Sequence, residues 1–269
     1  MRNKIGMRLY LAILLQMPIM LIQCKSYEFH VTPSGNNGEM NTPTLVVDSC
    51  INEHQYEGME SEQLKRVEIT GKIKDVPQWA FAIVPTLEEV KLSSNVKTIK
   101  DNAFFSCKRL ARINLNHVDT VGENSFKFSV IEEVNLAKAK IVKEFAFANC
   151  SRLCNVKFSP KLEIIEDFAF AGDTSLVDCY IPSGEVKSGA FMGCTKLERI
   201  SFGKVVSIGK ASFLDCVSIK SVVIPSTVRE IEDEAFRGCE KLKEVTLMSR
   251  DTKIANDAFE KEVIITYKK

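Results

Sequence analysis

Residues Val228–Leu247 read VREIEDEAFRGCEKLKEVTL, and the same order of apolar positions returns along the chain from about Ile73 to the C-terminus. Aligned on Phe236, the equivalent aromatics are Phe81, Phe104, Phe126, Phe147, Phe170, Phe191, Phe213 and Phe259. With Phe236 in its place, the successive spacings are 23, 22, 21, 23, 21, 22, 23 and 23 residues. A period of roughly 20–30 residues with apolar residues at fixed offsets describes units that bury their faces only against their neighbours. One continuous solenoid therefore follows, rather than a globule with a single centre.

Counted from the phenylalanine, apolar residues fall at offsets −8, −5, −1, 0, +6, +9 and +11, often with cysteine at +3. In this copy they are Val228, Ile231, Ala235, Phe236, Leu242, Val245 and Leu247, with Cys239. The last two have the period-2 spacing of a short strand with two inward side chains. The same pair recurs as Val90/Leu92, Ile113/Leu115, Val156/Phe158, Cys179/Ile181, Ile200/Phe202 and Val222/Ile224. One such strand per unit stacks into a parallel sheet. Offsets −8 and −5 mark a second extended or turn-like segment, as in Val96/Ile99, Val118/Val121, Leu162/Ile165 and Val205/Ile208. The Ala-Phe-x-x-Cys part predicts a single helical turn facing the strands, with small alanine beside large phenylalanine letting adjacent turns approach.

The string V-x-x-I-x-x-x-A-F-x-x-C-x-x-L-x-x-V-x-L resembles the BspA-type leucine-rich repeat family, found in surface proteins of mouth and gut bacteria and in some protists. The resemblance covers Leu64 to Tyr267 and rests on the whole offset set. It implies a right-handed β/α solenoid, with a parallel β-sheet on one face and short helical turns and extended segments on the other. It also implies adhesion to host proteins or other cells, and no catalytic residues. Two units depart from the pattern. The unit of Phe126 is one residue short before Leu136, with Ser129 at the cysteine position and Ile131 in place of the leucine. Asp173 replaces cysteine in the unit of Phe170.

The chain has 269 residues, 45% hydrophobic and 26% charged, ample for a substantial core. Its 36 basic and 35 acidic residues are interspersed, so no basic footprint for nucleic acid exists. Residues 1–23 have the form of a secretory signal: Arg2, Lys4 and Arg8, then the apolar run Leu9–Ile22. As a helix that run spans about 21 Å, short of a bilayer core of about 30 Å. Leu21-Ile22-Gln23-Cys24 resembles a bacterial lipobox, which implies lipidation at Cys24; Gln23 departs from the small residue expected there, and ordinary cleavage nearby is the alternative. Residues 24–63 form a linker and cap segment, rich in turn residues from Pro33 to Pro43, with a leading strand within Thr44–Cys50. Residues 64–269 hold about nine repeats of 21–23 residues, opened by Leu64, Val67 and Ile69 as an N-terminal cap. At the far end, Val263 and Ile265 pair as the last strand, and Lys268 and Lys269 discourage further stacking.

Nine cysteines in an exported chain first suggest disulfides. Cys107, Cys150, Cys194, Cys216 and Cys239 all occupy offset +3, however, so their side chains run parallel rather than converging as a disulfide requires. A ladder of buried, reduced thiols used as small apolar fillers is expected. Cys154 follows Cys150 by four residues, a poor spacing for a tetrahedral metal site. The three histidines, His30, His54 and His117, stand in no metal pair or catalytic setting, and no phosphate-binding glycine loop occurs. No cofactor is expected. Acidic pairs such as Glu132/Glu133 and Glu232/Asp233 read as solvated faces. Asn149-Cys150-Ser151 matches the glycosylation triplet around a core cysteine, which argues against its use.

What remains is surface. Offsets +8 and +10 point outward from the strands and form two columns: Glu89/Lys91, Arg112/Asn114, Asn155/Lys157, Asp178/Tyr180, Arg199/Ser201, Ser221/Val223 and Glu244/Thr246. A broad, rigid face of this kind is where solenoids bind, and Tyr180 near Arg199 has the composition of a hot spot. Trp79, the single tryptophan, covers the first turn. The leading expectation is a secreted or cell-surface protein, an outer-membrane lipoprotein if Cys24 is lipidated. It is monomeric, not an enzyme, touches membrane only through a lipid anchor, and binds a protein or glycan ligand on host or neighbouring cells through its strand face. Two rivals are a carbohydrate-active β-solenoid enzyme or glycan-binding protein and an envelope scaffold. The first draws on Tyr27–Gly35, YEFHVTPSG, which resembles the opening strand of some right-handed β-helix carbohydrate enzymes.

Overall fold

The computed structural model describes residues 44–48 and 64–268. The signal and lipobox residues, Tyr27–Gly35, His30, His54 and Cys50 lie outside them. Successive coils stack with every strand pair parallel. One face carries the longer strands: Thr44–Val47, Arg66–Ile69, Glu89–Leu92 and Arg112–Ile113 form one sheet, and Glu133–Leu136 with Asn155–Phe158 a second. The first halves of Asp178–Val186 and Arg199–Ile208 pair next, followed by Ser221–Ile224, Glu244–Leu247 and Ile264–Tyr267. Their burial alternates, with Val90, Leu92, Val156, Phe158, Cys179, Ile181, Val222 and Ile224 inward. The leading strand does form in Thr44–Val47, in register with Arg66–Ile69.

The second extended segment is the more continuous of the two faces. Nine short strands, from Asp75–Val76 to Lys253–Ile254, make one unbroken parallel sheet. Its inward column is the offset −5 set: Val76, Ile99, Val121, Val142, Ile165, Val186, Ile208 and Ile231 are each fully buried, and Ile254 packs against them from the end. In two coils the strand runs through from one face to the other, as Asp178–Val186 and Arg199–Ile208, with a bulge between Gly184 and Glu185. Gly184 sits there at φ 93°, where an added Cβ would lie 2.7 Å from the Glu163 carbonyl oxygen, so only glycine fits.

The Ala-Phe-x-x-Cys segment is not helical. No α-helix forms among the described residues, which corrects the expected helical turn. The i, i+3 spacing of apolar residues imitates a helix, but the backbone bonds differently. In the coil of Phe104, the amides of Ala103, Phe105 and Cys107 bond the third residue back. Those of Asn102, Phe104 and Ser106 instead donate to Glu123, Ser125 and Lys127 of the next coil. Alternate amides thus turn along the stack, which requires left-handed residues. Each of the eight coils from Phe81 to Phe236 has two, at offsets −2 and +2. Glycine, asparagine and aspartate hold many of these places, but Trp79, Ile83, Phe128, Phe145 and Phe168 also sit there at φ 52–66°, a region costly for bulky side chains.

The phenylalanines stack as one column, with neighbouring centroids 5.0–5.4 Å apart and planes within 11°. The spacing follows from the coil-to-coil repeat of about 4.8 Å. Phe81 to Phe236 are fully buried, and Phe259, at the end, is half-buried.

Ser129, Ile131 and Asp173 are buried at their irregular positions. The short unit keeps its register, Val134 opposite Val156 and Leu136 opposite Phe158, because the missing residue is taken from the loop before the strand. The last strand differs from expectation. The strand is Ile264–Tyr267, with Ile265 opposite Val245 and Tyr267 opposite Leu247; both stay exposed at the open end of the stack, whereas Val263, just before the strand, packs against the core. The final coil is simply shorter between its phenylalanine and its strand.

Candidate binding face

The long-strand face carries the two outward columns, and cross-strand register places each member opposite its equivalent in the next coil. Two members escaped the sequence alignment, Glu133 and Asn135, which stand opposite Asn155 and Lys157. The one-residue deletion had displaced them from offsets +8 and +10, although the Val134/Leu136 alternation marks the strand.

In the N-terminal half the columns are charged and paired across coils. Arg66 and Arg112 flank Glu89 at 3.4 and 3.3 Å, and Lys91 meets Glu68 at 3.1 Å. Each such exposed pair contributes about 0–1 kcal/mol, so they set surface character more than stability. Asn114 is not a free outward group. Its amide accepts from the Leu92 N–H at 2.7 Å and donates to the Leu92 carbonyl at 2.9 Å. The strand Arg112–Ile113 stops after two residues, and the Asn114 side chain supplies the bonds that the ladder no longer makes.

The C-terminal half is different. From Tyr180 the offset +10 column continues as Ser201, Val223, Thr246 and Thr266, with no charge. Tyr180 is 55% and Val223 53% exposed, and Ile264 at the end of the neighbouring column is 65% exposed. Tyr180 leans over Gly203, where an added Cβ would meet its hydroxyl at 2.8 Å and the Pro182 carbonyl oxygen at 2.3 Å. Arg199 beside it is paired with Asp178, and Lys220 with Glu198 at 2.9 Å. Asn155, Lys157, Ser221 and Glu244 stand exposed between these groups.

The thiol ladder is present and does more than fill space. Cys107, Cys150, Cys194, Cys216 and Cys239 are free and buried. Each donates from Sγ, at 3.0–3.3 Å, to the carbonyl of the stacked phenylalanine in the preceding coil. Burial pushes the Cys107 and Cys239 thiols up to about 12, far from nucleophilic use. Asp173 occupies the same ladder. Its Oδ1 accepts from the Cys150 N–H at 2.8 Å while Oδ2 has no partner. Burial, then the neighbouring Cys194 thiol, raises its pKa well above the usual carboxylate range. His117 is buried, and desolvation lowers its pKa. Its Nδ1 lies 3.1 Å from Asn116 Oδ1, and Nε2 is unpartnered. No group of three or more potential metal ligands gathers among the described residues. Cys154 is exposed, with its thiol 3.3 Å from the Glu132 carbonyl. Glu132 and Arg152 approach to 3.8 Å, and Glu232 accepts from the Lys210 amide.

Parallel coils of about 22 residues, closed by a stacked aromatic column and read outward from one strand face, define a repeat solenoid of the leucine-rich repeat class. The chain belongs to the BspA-type leucine-rich repeat family. The profile of the BspA type Leucine rich repeat region, in 6 copies, matches residues 47–144, 74–188, 120–206 and 183–268. The chain is also similar to several solved bacterial proteins. A leucine rich cell surface protein from Faecalibacterium prausnitzii A2-165 is 19% identical over 83% of this chain and 82% of its own, with TM-score 0.34. A leucine-rich repeat protein from Bacteroides ovatus ATCC 8483 is 18% identical over 84% and 92%, with TM-score 0.30. The leucine rich repeat protein of T. pallidum is 25% identical over 67% and 68%, with TM-score 0.37. No curated protein matches the chain.

Proposed function

We propose that this is an exported, cell-surface, non-enzymatic repeat protein that engages a protein partner through the C-terminal half of its long-strand face. The uncharged column from Tyr180 to Thr266 supports that half. Its exposed tyrosine and valine offer area at little desolvation cost, whereas the N-terminal charges already neutralise one another and lose water on contact. Interface centres are poor in charge and rich in aromatic anchors. Family membership and the signal-like residues 1–23 support export, and Cys24 is the proposed anchor point.

The test is binding of the whole chain to immobilised host matrix proteins, comparing Tyr180→Ala and Val223→Lys with Lys91→Ala. Loss of a central aromatic anchor is expected to weaken binding by about 2 kcal/mol or more, with Lys91→Ala nearly neutral. Equal losses at all three positions, or hydrolysis of polysaccharide by a protein that binds nothing, would count against the reading. Intact mass of the protein recovered from its native membrane tests the anchor: a diacylglycerol adduct at Cys24 is expected, and an unmodified N-terminus elsewhere removes it.

A further inference from the structure

The shortened unit of Phe126 leaves a mark on the surface opposite in character to the strand face. Its loop, Ser129-Val130-Ile131, is one residue shorter than the loops on either side, Cys107–Leu110 and Cys150–Leu153. Between those flanking loops lies an open surface groove of about 410 Å³ spanning three successive coils, room enough for one small ligand held on one side. Phe105, Ser106 and Lys108 line it from one coil, Phe128 from the short coil, and Asn149 and Ser151 from the next. In solenoids, changes of repeat length map to loops on one face, often the one that binds.

Three features of the lining go together. Phe105 and Phe128 stand 6.0 Å apart with their planes at 71°, an aromatic corner of two walls. Phe128 is 41% exposed and held at φ 66°, so it bears the strain of a left-handed backbone without contributing a ring to the core. At the same offset most other coils use glycine, asparagine, aspartate or serine. Ser106 and Ser151 present hydroxyls to the groove, and the Asn149 side chain edges it with Oδ1 turned against Gly172 of the following coil, where an added Cβ would meet it at 2.5 Å, so the Asn149 NH2 is the group left for a ligand. The groove's charge is of one sign: Lys108 lines it and no carboxylate does. Lys127 stands beside it, 5.6 Å from the Phe128 ring centroid, but it lies closer to Phe145, 4.0 Å from that centroid, where Glu144 offsets its charge.

We infer that this notch is a binding site for an acidic saccharide, a pyranose bearing a carboxylate. The sugar's flat C–H face lies on an aromatic wall, where positive ring hydrogens meet the negative π-face. Its hydroxyls exchange bonds with Ser106, Asn149 and Ser151, and the carboxylate meets Lys108. A purely apolar side chain would leave the polar groups without partners, and a cationic ligand would meet Lys108. The site is independent of the strand face, so the two readings fail separately.

The test is titration of the whole chain with methyl glucuronide and N-acetylneuraminate, with methyl glucoside as the neutral control, followed by calorimetry and saturation-transfer NMR. The acidic sugars are expected to bind at least several-fold more tightly than the glucoside. Phe128→Ala is expected to weaken binding about tenfold, a difference of about 1.4 kcal/mol, and Lys108→Ala to abolish the preference for acid. A variant with one residue inserted between Val130 and Ile131 should fill the notch and lose binding with its thermal midpoint retained. Should that insertion fail to fold, Lys108→Glu serves in its place. Tyr180→Ala should bind the sugars as the parent does. No binding of any saccharide, equal binding of neutral and acidic sugars, binding that survives Phe128→Ala, or selective capture of an acidic peptide instead would each overturn the assignment.

Discussion

Replacing Asp173 by cysteine or asparagine should change how stability depends on pH, in a way set by one buried carboxyl. Asp173 is fully buried in the thiol ladder, with Oδ1 satisfied by the Cys150 amide and Oδ2 by nothing. Burial and the Cys194 thiol raise its pKa in the folded state, whereas in the unfolded chain an aspartate titrates near 3.9. Above that value the unfolded chain has released a proton that the folded chain still holds. Stability from this group is therefore complete below about pH 3.9 and is lost as pH rises, by about 1.4 kcal/mol per unit while the folded carboxyl remains protonated. Asp173→Asn keeps an acceptor for the Cys150 amide and abolishes the titration. Asp173→Cys also removes the orphaned oxygen, a gain of about 1–3 kcal/mol, and places a thiol where the other coils bond the preceding phenylalanine carbonyl, while the Cys150 amide, losing Oδ1, keeps its bond to the Phe147 carbonyl at 3.1 Å. Urea denaturation of the parent and both variants between pH 4 and pH 7 measures the effect. Because every other group titrates alike in all three, the variant-minus-parent difference isolates Asp173. That difference should grow with pH for both substitutions and be larger for cysteine at every pH. A difference that is constant from pH 4 to pH 7 would refute the claim that a protonated carboxyl is held in the ladder.

Phe170→Ala, in the middle of the aromatic column, should cost about 3–5 kcal/mol, and Phe259→Ala, half-buried at its end, clearly less. Comparable thermal shifts for the two would mean that the column does not act as a shared core. Ile83→Gly and Ala211→Gly place glycine at φ 61° and 51° and should each stabilise by about 1 kcal/mol, read as a raised denaturation midpoint. In a chain carrying Cys24→Ser and Cys50→Ser, a thiol reagent should label Cys154 quickly and leave the six buried cysteines protected until denaturant is added. Rapid labelling of more than one thiol in the native protein would contradict the buried ladder.

The core of this fold is legible in the sequence because its physics is repetitive. Phenylalanines at matched offsets, and inward pairs such as Val245/Leu247, have one way to leave water. The outward columns follow by parity. What parity cannot reveal is how a polar side chain spends its hydrogen bonds, which is why Asn114 read as surface although its amide completes the Leu92 backbone. The expected helical turn failed for a related reason. Apolar spacing reports which side chains face inward, and an i, i+3 pattern is shared by a helix and by this chain of left-handed turns. The distinguishing signal lay at offsets −2 and +2, in Asn102, Asn124, Gly172, Gly189, Gly193 and Gly238. Trp79, Phe145 and Glu234 at equivalent places hide it from any alignment made on the core.

The same physics says where to look for function. Each coil is held to the next by backbone bonds, by a buried phenylalanine and, in most coils, by a thiol, and none of these constrains the outward positions. A column of surface residues in such a protein has no structural reason to be uniform in charge or to gather aromatics. The stretch from Tyr180 to Thr266 is uncharged over five successive strands. Trp79, Phe105 and Phe128 touch edge to face over three successive coils, at 6.1 and 6.0 Å. The buried core requires neither, although the ring contacts of the second group also tie neighbouring coils together. The second group also coincides with the coil that lacks a residue, a deletion the sheet absorbs without losing register. Two separate surfaces thus carry composition that the solenoid does not need, one flat enough for a protein and one notched to the size of a sugar.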